Sequence, residues 1–307
     1  LLDEPDAHLE ILRQRQIYNT VTEVARTHGC QVIAASHSEV LLNEAGDRDV
    51  VVAFVGAPHR IDDRRSRTQV YKALKSIGFE QYYLAEQKGC VLYLEGSTDL
   101  AILQAFARRL GHAAVRDLER PFVEYVANQP KKAREHFYRL REAKPELVGI
   151  VITDRIEQEL QSGGGLVELM WSRRELENYL CQPETLEAYA ASLADDRAAG
   201  PLFAYGERQT IVEAMRRAVA KRIPPAALED RGDRWWSEVK ASEEFLDIVF
   251  EDFFKTLHLD NLMRKTDYHR LAAFVPVALL DDEIGQKLDR IREVAAKANS
   301  IDALPGD

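Results

Sequence analysis

The chain has 307 residues, 46 % of them hydrophobic and 30 % charged, with a formal net charge of −10. That is enough apolar chain to bury a core in two or more lobes. The acid excess excludes a uniformly basic, histone-like nucleic-acid binder but still allows basic residues to gather on one face. The longest apolar run, residues 271–280, is interrupted by Pro276 and falls well short of the roughly 20 residues a membrane-spanning helix needs. The cysteines, Cys30, Cys90 and Cys181, form no Cys-x-x-Cys pair. Neither zinc nor a disulfide framework is indicated, and a reducing cytoplasm is the expected setting. No signal peptide is visible. The sequence opens inside a motif without a methionine, so a piece of a longer protein is expected.

The first stretch, LLDEPDAHLE, reads as the end of a buried strand with two adjacent acids, Asp3 and Glu4, at its tip. A helix follows to about His28, stopped by Gly29. QVIAAS then reads as a strand with His37 just after it, and DVVVAFVGA, from Asp49, as one more strand of the same lobe. The order of acids, Asp6 and a strand-end histidine resembles the Walker B motif, D-loop and switch histidine of ABC-type ATPases. The resemblance implies magnesium at Asp3, water activation by Glu4 and a γ-phosphate contact by His37. There is no G-x-x-x-x-G-K-[ST] phosphate loop in the sequence. This chain alone is therefore not expected to turn over ATP, which becomes a cofactor only with a missing N-terminal part. Residues 59–87 read as a linker in which Arg60, Arg64, Arg65 and Arg67 cluster, either as a solvated basic stretch or as a phosphate contact.

The chain is organised around VLYLEGSTDLAILQAFARRLG, residues 91–111. It reads as a buried strand, an acidic turn and an amphipathic helix. Glu95 ends the strand, Gly96 allows a sharp turn, Ser97 or Thr98 can cap the helix, and Asp99 lies in its first turn. Further strands are expected at PFVEYV (121–126), LVGIVITD (147–154) and VELMW (167–171), with a helix over 130–143. Such alternation predicts a mostly parallel sheet. Asp154, like Glu95, stands at a strand's carboxyl end, where α/β sheets place their ligands. Lys131, Lys132 and Arg134 open the helix at 130. Cations oppose the helix dipole there, so an anionic partner such as DNA is one reading. SRRELENYL follows the last strand and supplies Glu175 and Glu177, with Glu177 favoured as the inward acid.

The Glu-Gly-x-x-Asp stretch, Asp154 and the Arg-Glu-Leu-Glu-Asn-Tyr segment resemble the Toprim domain of overcoming-lysogenization-defect (OLD) nucleases, class 2-like. The resemblance implies an α/β Toprim fold, Rossmann-like, with a mostly parallel sheet, helices on both faces and an inserted helical domain. Expected boundaries are 1–58 for the ATPase remnant, 59–87 for the linker, 88–183 for the Toprim core, 184–260 for the helical insertion, and 261–307 for the return to the core and a C-terminal helix. It implies a DNA endonuclease with a two-metal site, using Mg²⁺ or Mn²⁺, with Ca²⁺ able to occupy the same oxygens. Glu95, Asp99, Asp154, Glu177, Glu175 and Glu157 are the candidate ligands, and Glu95 and Lys265 the candidate catalytic residues. Family members carry Asp-x-Asp at the second strand end. Here the triplet is Asp154, Arg155, Ile156, and Glu157 or Glu159 would have to reach in from the turn.

From Pro183 the periodicity is helical, over 184–195, 207–222 and 242–257, with a last amphipathic helix over 281–298. Trp235 and Trp236 read as packing residues or, alternatively, as base-stacking ones. Arg216, Arg217, Lys221 and Arg222 form either a phosphate rail or a solvated face. Lys265 resembles a lysine that OLD nucleases place near their metals; a surface lysine is the other reading. The expected partners are DNA and, by resemblance, a helicase-like protein, with self-association of the full-length chain and no membrane. Two other classes stay open: a different Toprim phosphotransfer chemistry, as in primases and topoisomerases, and a non-catalytic nucleic-acid-binding module.

Overall fold

The structure is a computed structural model and describes residues 1–46, 49–54, 58–60, 78–197 and 201–301. The chain divides into two compact units, one of residues 1–89 and 135–147, the other of residues 90–134 and 148–307.

In the first unit, β1 (Leu2–Asp3) lies parallel to β2 (Ala34–Ala35), with α1 (Ile11–His28) between them in sequence. Gly29 stops α1 in the left-handed region at φ +62°, its N–H bonded back to the Ala25 carbonyl, as its position after a helix predicts. Where QVIAAS suggests a full strand, only Ala34 and Ala35 pair. After α2 (Glu39–Gly46), β3 (Val52–Ala53) pairs with β4 (His59–Arg60) in a separate antiparallel ladder rather than extending the first sheet. Helix α3 (Phe79–Lys88) closes on Gly89, also left-handed.

The second unit holds a parallel sheet of β5 (Cys90–Leu94), β6 (Phe122–Tyr125), β7 (Val148–Thr153) and β8 (Leu166–Met170), in the order β6-β5-β7-β8. Helices lie on both sides. The central strands are apolar up to the buried Thr153 that ends β7, and Val91, Tyr93, Ile150 and Val151 are fully buried. Strands covered on both faces need such unbroken apolar runs. Helix α4 (Ser97–Arg109) follows β5, a short α5 (Val115–Glu119) leads to β6, and α6 (Pro130–Ala143) leads towards β7. The helices after β8 are α7 (Pro183–Arg197), α8 (Pro201–Ala220), α9 (Pro225–Glu229), α10 (Trp235–Glu238), a π-helical turn (Ala241–Leu246) that runs into α11 (Asp247–Thr256), and α12 (Asp282–Ile301). The helical residues share one apolar core with the sheet: Leu92, Ile150, Trp171, Met215, Phe250 and Leu288 belong to a single buried cluster.

That core explains the aromatic residues. Trp236 is buried, donates its indole N–H to the Ala227 carbonyl at 2.9 Å, and meets Trp235 edge-on at 4.9 Å. Both tryptophans pack inside the helical layer. Three of the four basic residues expected on one side here are ion-paired: Arg216 bonds Glu187, Arg217 bonds Glu213, and Arg222 bonds Asp252, while Lys221 is exposed.

Candidate active site

The chain leaves β5 in one direction to form β6, then returns to the other side of β5 for β7. The sheet order therefore reverses between β5 and β7, and the crevice outside those carboxyl ends is where open α/β sheets bind ligands. Glu95 is the first residue beyond β5, and Asp154 the first beyond β7. The two acids that the sequence places at strand ends thus flank the one position where the topology opens the sheet.

The turn after β5 differs from its expected form. Gly96 has φ −156°, an extended conformation open to any residue, and neither Ser97 nor Thr98 caps α4. Asp99 instead turns back ahead of the helix, accepting the Glu95 backbone N–H on Oδ2 at 3.1 Å. Asp99 is 6 % exposed. Burial and then the Glu95 charge raise its pKa to about 7, against the opposing pull of the Glu95 and Gly96 N–H groups and of Lys265. Asp154 is raised well above the carboxylate range, first by burial, then by a hydrogen bond with Glu95 and by the charges of Glu95 and Asp99. Burial and the crowding of like charges thus work in the same direction on both Asp99 and Asp154, favouring their neutral forms.

Glu175 and Glu177 enter on the 3₁₀ turn Leu176–Leu180 after β8. The turn is anchored by the Leu176 N–H, which donates to Asp154 Oδ1 at 3.1 Å. Glu175 caps this turn: its side chain accepts the Asn178 N–H, Asn178 Oδ1 accepts the Glu175 N–H at 2.9 Å, and the Ser242 N–H also bonds to Glu175. Its oxygens are committed to backbone donors, which makes it a structural acid in this arrangement. Asn178 completes the cap by donating to the Trp236 and Val239 carbonyls, and Tyr179 packs on Trp171. Glu177 is 4 % exposed, with its pKa pushed up to about 8 by burial, then by Glu175 and Asp99. The acid favoured as inward is the one that shares its electrostatic environment with Asp99.

Lys265 opens a 3₁₀ segment, Lys265–Phe274, that packs along α4, α7 and the Leu176–Leu180 turn. Burial acts to lower the Lys265 pKa, but the carboxylates of Glu177, Glu175, Glu95 and Glu243 outweigh it and raise the value. Packing on α4 thus brings a residue from far along the chain into the field of the acids, although Lys265 itself is exposed and, among the described residues, no hydrogen bond or ion pair joins it to Glu95, Asp99, Asp154 or Glu177. Glu157 is exposed in the loop after β7, and among the described residues no hydrogen bond joins it to Glu95, Asp99, Asp154 or Glu177.

Among the basic candidates, Lys131 and Lys132 are exposed in the first turn of α6. Arg134 is not available to a phosphate: it makes two bonds, at 2.9 and 2.8 Å, to the buried Glu168 of β8. Arg64 and Arg65 lie outside the described residues.

In the first unit, Asp3 and Glu4 end β1, and Glu4 meets His37 at 3.4 Å beyond the end of β2. The Glu4 N–H bonds to the Ala35 carbonyl at 2.9 Å. Asp6 is buried and accepts the Ser36 hydroxyl at 2.6 Å. The parallel β1–β2 pairing therefore brings both acids and the histidine to one end of the ladder.

Residues 1–43 match the family described as "AAA domain, putative AbiEii toxin, Type IV TA system". The opening stretch is thus consistent with the end of an ATPase domain. No curated protein matches the chain.

Among the described residues, no group of three or more His, Cys, Asp or Glu side chains is arranged as a metal-binding cluster. The hydrogen bonds give the reason. Asp99 is turned to the Glu95 N–H, Asp154 to Leu176, and both Glu95 and Asp154 to Asn128. The donor chemistry nonetheless fits a hard dication. Glu95, Asp99, Asp154 and Glu177 offer only carboxyl oxygens, and three of them hold raised pKa values that a cation would relieve. Asn128, not among the residues expected at the site, bridges Glu95 and Asp154. Its sequence signal is slight: an asparagine just past a strand end, one residue before Gln129-Pro130.

Proposed function

We propose that residues 88–307 form a Toprim-type, metal-dependent DNA endonuclease, and that the chain is the C-terminal part of an ATPase-linked nuclease of the OLD family. The observation that carries this reading is the convergence of Glu95 and Asp154 on the switch point of the sheet, joined through Asn128. The ATPase-like opening, matched over residues 1–43, supports the family.

In this reading Glu95, Asp99, Asp154 and Glu177 hold Mg²⁺ or Mn²⁺. When bound, the metal lowers the pKa of a water and polarises a phosphoryl oxygen. The buried acids exclude bulk water from one side of the crevice and supply its negative potential. Lys265, kept protonated by its carboxylate neighbours, stabilises charge gathering on a non-bridging oxygen in the transition state. The water oxygen bonds to phosphorus, the bridging P–O bond breaks, and the leaving oxygen takes up the proton the water gives away. One water is consumed, and a phosphomonoester and a hydroxyl end result. Lys131 and Lys132 supply phosphate contacts near the crevice.

The test is nicking of supercoiled plasmid by the purified chain with Mg²⁺ or Mn²⁺. Activity should appear with either metal, vanish in chelator, and be absent from Glu95→Gln and Asp154→Asn while both variants stay folded. Unchanged nicking in both variants would dismiss the site. One observation favours a second reading, a non-catalytic DNA-binding module: Ile156 stands where the family has its second strand-end acid. Metal-independent DNA binding without any cutting would select it.

A further inference from the structure

Between β6 and α6 two consecutive non-glycine residues are left-handed, Ala127 at φ +48° and Asn128 at φ +56°. Asparagine visits this region readily and alanine does not. Backbone held this way persists only where its surroundings over-determine it. Here the Val126 N–H bonds to the Leu94 carbonyl at 2.8 Å, the Ala127 N–H to the Glu95 carbonyl at 3.1 Å, and the Gln129 N–H to the Val126 carbonyl at 3.0 Å. The turn is thus pinned to the backbone of the residue that carries the first candidate ligand.

The Asn128 side chain then reaches both acids. Nδ2 donates to Glu95 Oε2 at 2.8 Å and to Asp154 Oδ2 at 3.1 Å, while Oδ1 accepts the Asp154 backbone N–H at 2.9 Å. A flipped amide would aim oxygen at two carboxyl oxygens and nitrogen at an N–H, so this network dictates the orientation. Both amide hydrogens go to acids on two different strands, and neither serves the turn itself. The third strand at the switch point, β6, brings this amide beyond its carboxyl end.

We infer that Asn128 is a positioning residue for the metal-binding carboxylates, setting the separation and tilt of Glu95 and Asp154 before a cation arrives. The inference rests on the metal-dependent reading of the site. Groups that orient ligands from behind typically contribute 10–100-fold to metal affinity or activity. A glycine at 128 would keep the left-handed turn at no steric cost and remove only the amide. A glycine at 127 would relieve the turn and leave the amide in place.

The experiment is Mn²⁺ binding by the whole chain, followed by electron paramagnetic resonance, for wild type, Asn128→Gly and Ala127→Gly, with thermal melting to verify folding. Asn128→Gly should bind Mn²⁺ about 10–100-fold more weakly, and Ala127→Gly should bind like wild type. In the wild type, a Mg²⁺ titration should also shift the Asn128 side-chain amide resonances. Wild-type affinity in Asn128→Gly, or an amide signal unmoved by saturating Mg²⁺, would overturn the positioning role and leave the metal site standing. An equal loss in Ala127→Gly would assign the effect to the turn and overturn it too. Absence of Mn²⁺ binding in the wild type would remove both the site and the inference.

Discussion

Asp99→Asn isolates the electrostatic strain of the metal-free site. Asp99 is 6 % exposed, and burial together with the Glu95 charge carries its pKa from 3.8 to about 7. Between about pH 4 and 7 the folded chain keeps a proton that the unfolded chain has already released. The native state then binds more protons, so stability falls as pH rises through this window. Above pH 7 both states are ionised and the full penalty remains. At about 1.36 kcal/mol per pK unit, the penalty is on the order of 4 kcal/mol. Asparagine has the shape of the neutral acid and still offers Oδ1 to the Glu95 N–H, but it never ionises. In chelator at pH 8.5 the variant should therefore be more stable than wild type by up to about 4 kcal/mol; at pH 3.5 the two should coincide. Urea denaturation reports this through tryptophan fluorescence, since Trp171, Trp235 and Trp236 all lie in the second unit. Adding Mn²⁺ at pH 8.5 should raise the wild type and close the gap. A variant no more stable than wild type at pH 8.5, or a gap that does not change with pH, would refute the argument.

Three further outcomes are expected. Lys265→Ala should slow plasmid nicking by about 10²–10³ with Mn²⁺ affinity nearly unchanged, and Lys265→Arg should restore it only in part, because a planar fork does not replace a compact ammonium; a large loss of metal affinity would place Lys265 in the wrong role. Gly96→Ala should leave the fold intact and raise stability by roughly 0.4–1 kcal/mol, since its φ is extended and an added Cβ would meet only Thr98 Oγ1, at 4.0 Å; a destabilised variant in thermal melts would show that the turn does need glycine. Arg134→Met should cost roughly 3–5 kcal/mol, because it strands the buried Glu168 without its cation, and Arg134→Met combined with Glu168→Gln should recover much of that loss in the same denaturation experiment.

Local pattern was sufficient for the elements that carry the second unit. Apolar runs end at Leu94 and Thr153 because those strands are covered on both faces, and the acids follow immediately because the chain leaves the sheet there. Periodicity also located α4, α6 and α12 to within a few residues. It misjudged the first unit, where QVIAAS and DVVVAFVGA have the composition of strands but, among the described residues, only two of each pair. Strand propensity records what fits a half-buried pleated surface, and here Ile33, Val50 and Phe54 are exposed, at 60 %, 59 % and 78 %. Apolar residues without a covering layer cannot extend a ladder on propensity alone.

The site was legible only as far as residue type reveals role. Glu95 and Asp154 stand out because two separate strands end on an acid, and Asp99 because it follows Glu95 in the first turn of the next helix, although a helix N-terminus favours acids in any case. Glu175 and Glu177 look alike in sequence, yet one turn separates them into different work: Glu175 spends its oxygens on the N–H groups of Asn178 and Ser242, while Glu177 keeps its side chain in the field of Asp99 and Lys265. That division depends on where the π-helical turn at 241–246 docks, which no local spacing encodes. Lys265 enters the field of the acids because its segment packs along α4. Asn128 is the extreme case. An asparagine in a turn is ordinarily explained by its left-handed φ alone, and only the order β6-β5-β7 reveals that the same residue faces two carboxyl groups from neighbouring strands. Strand order is a long-range property of the chain. The acids could be found one at a time, whereas the group that holds them together appears only once the sheet has been assembled.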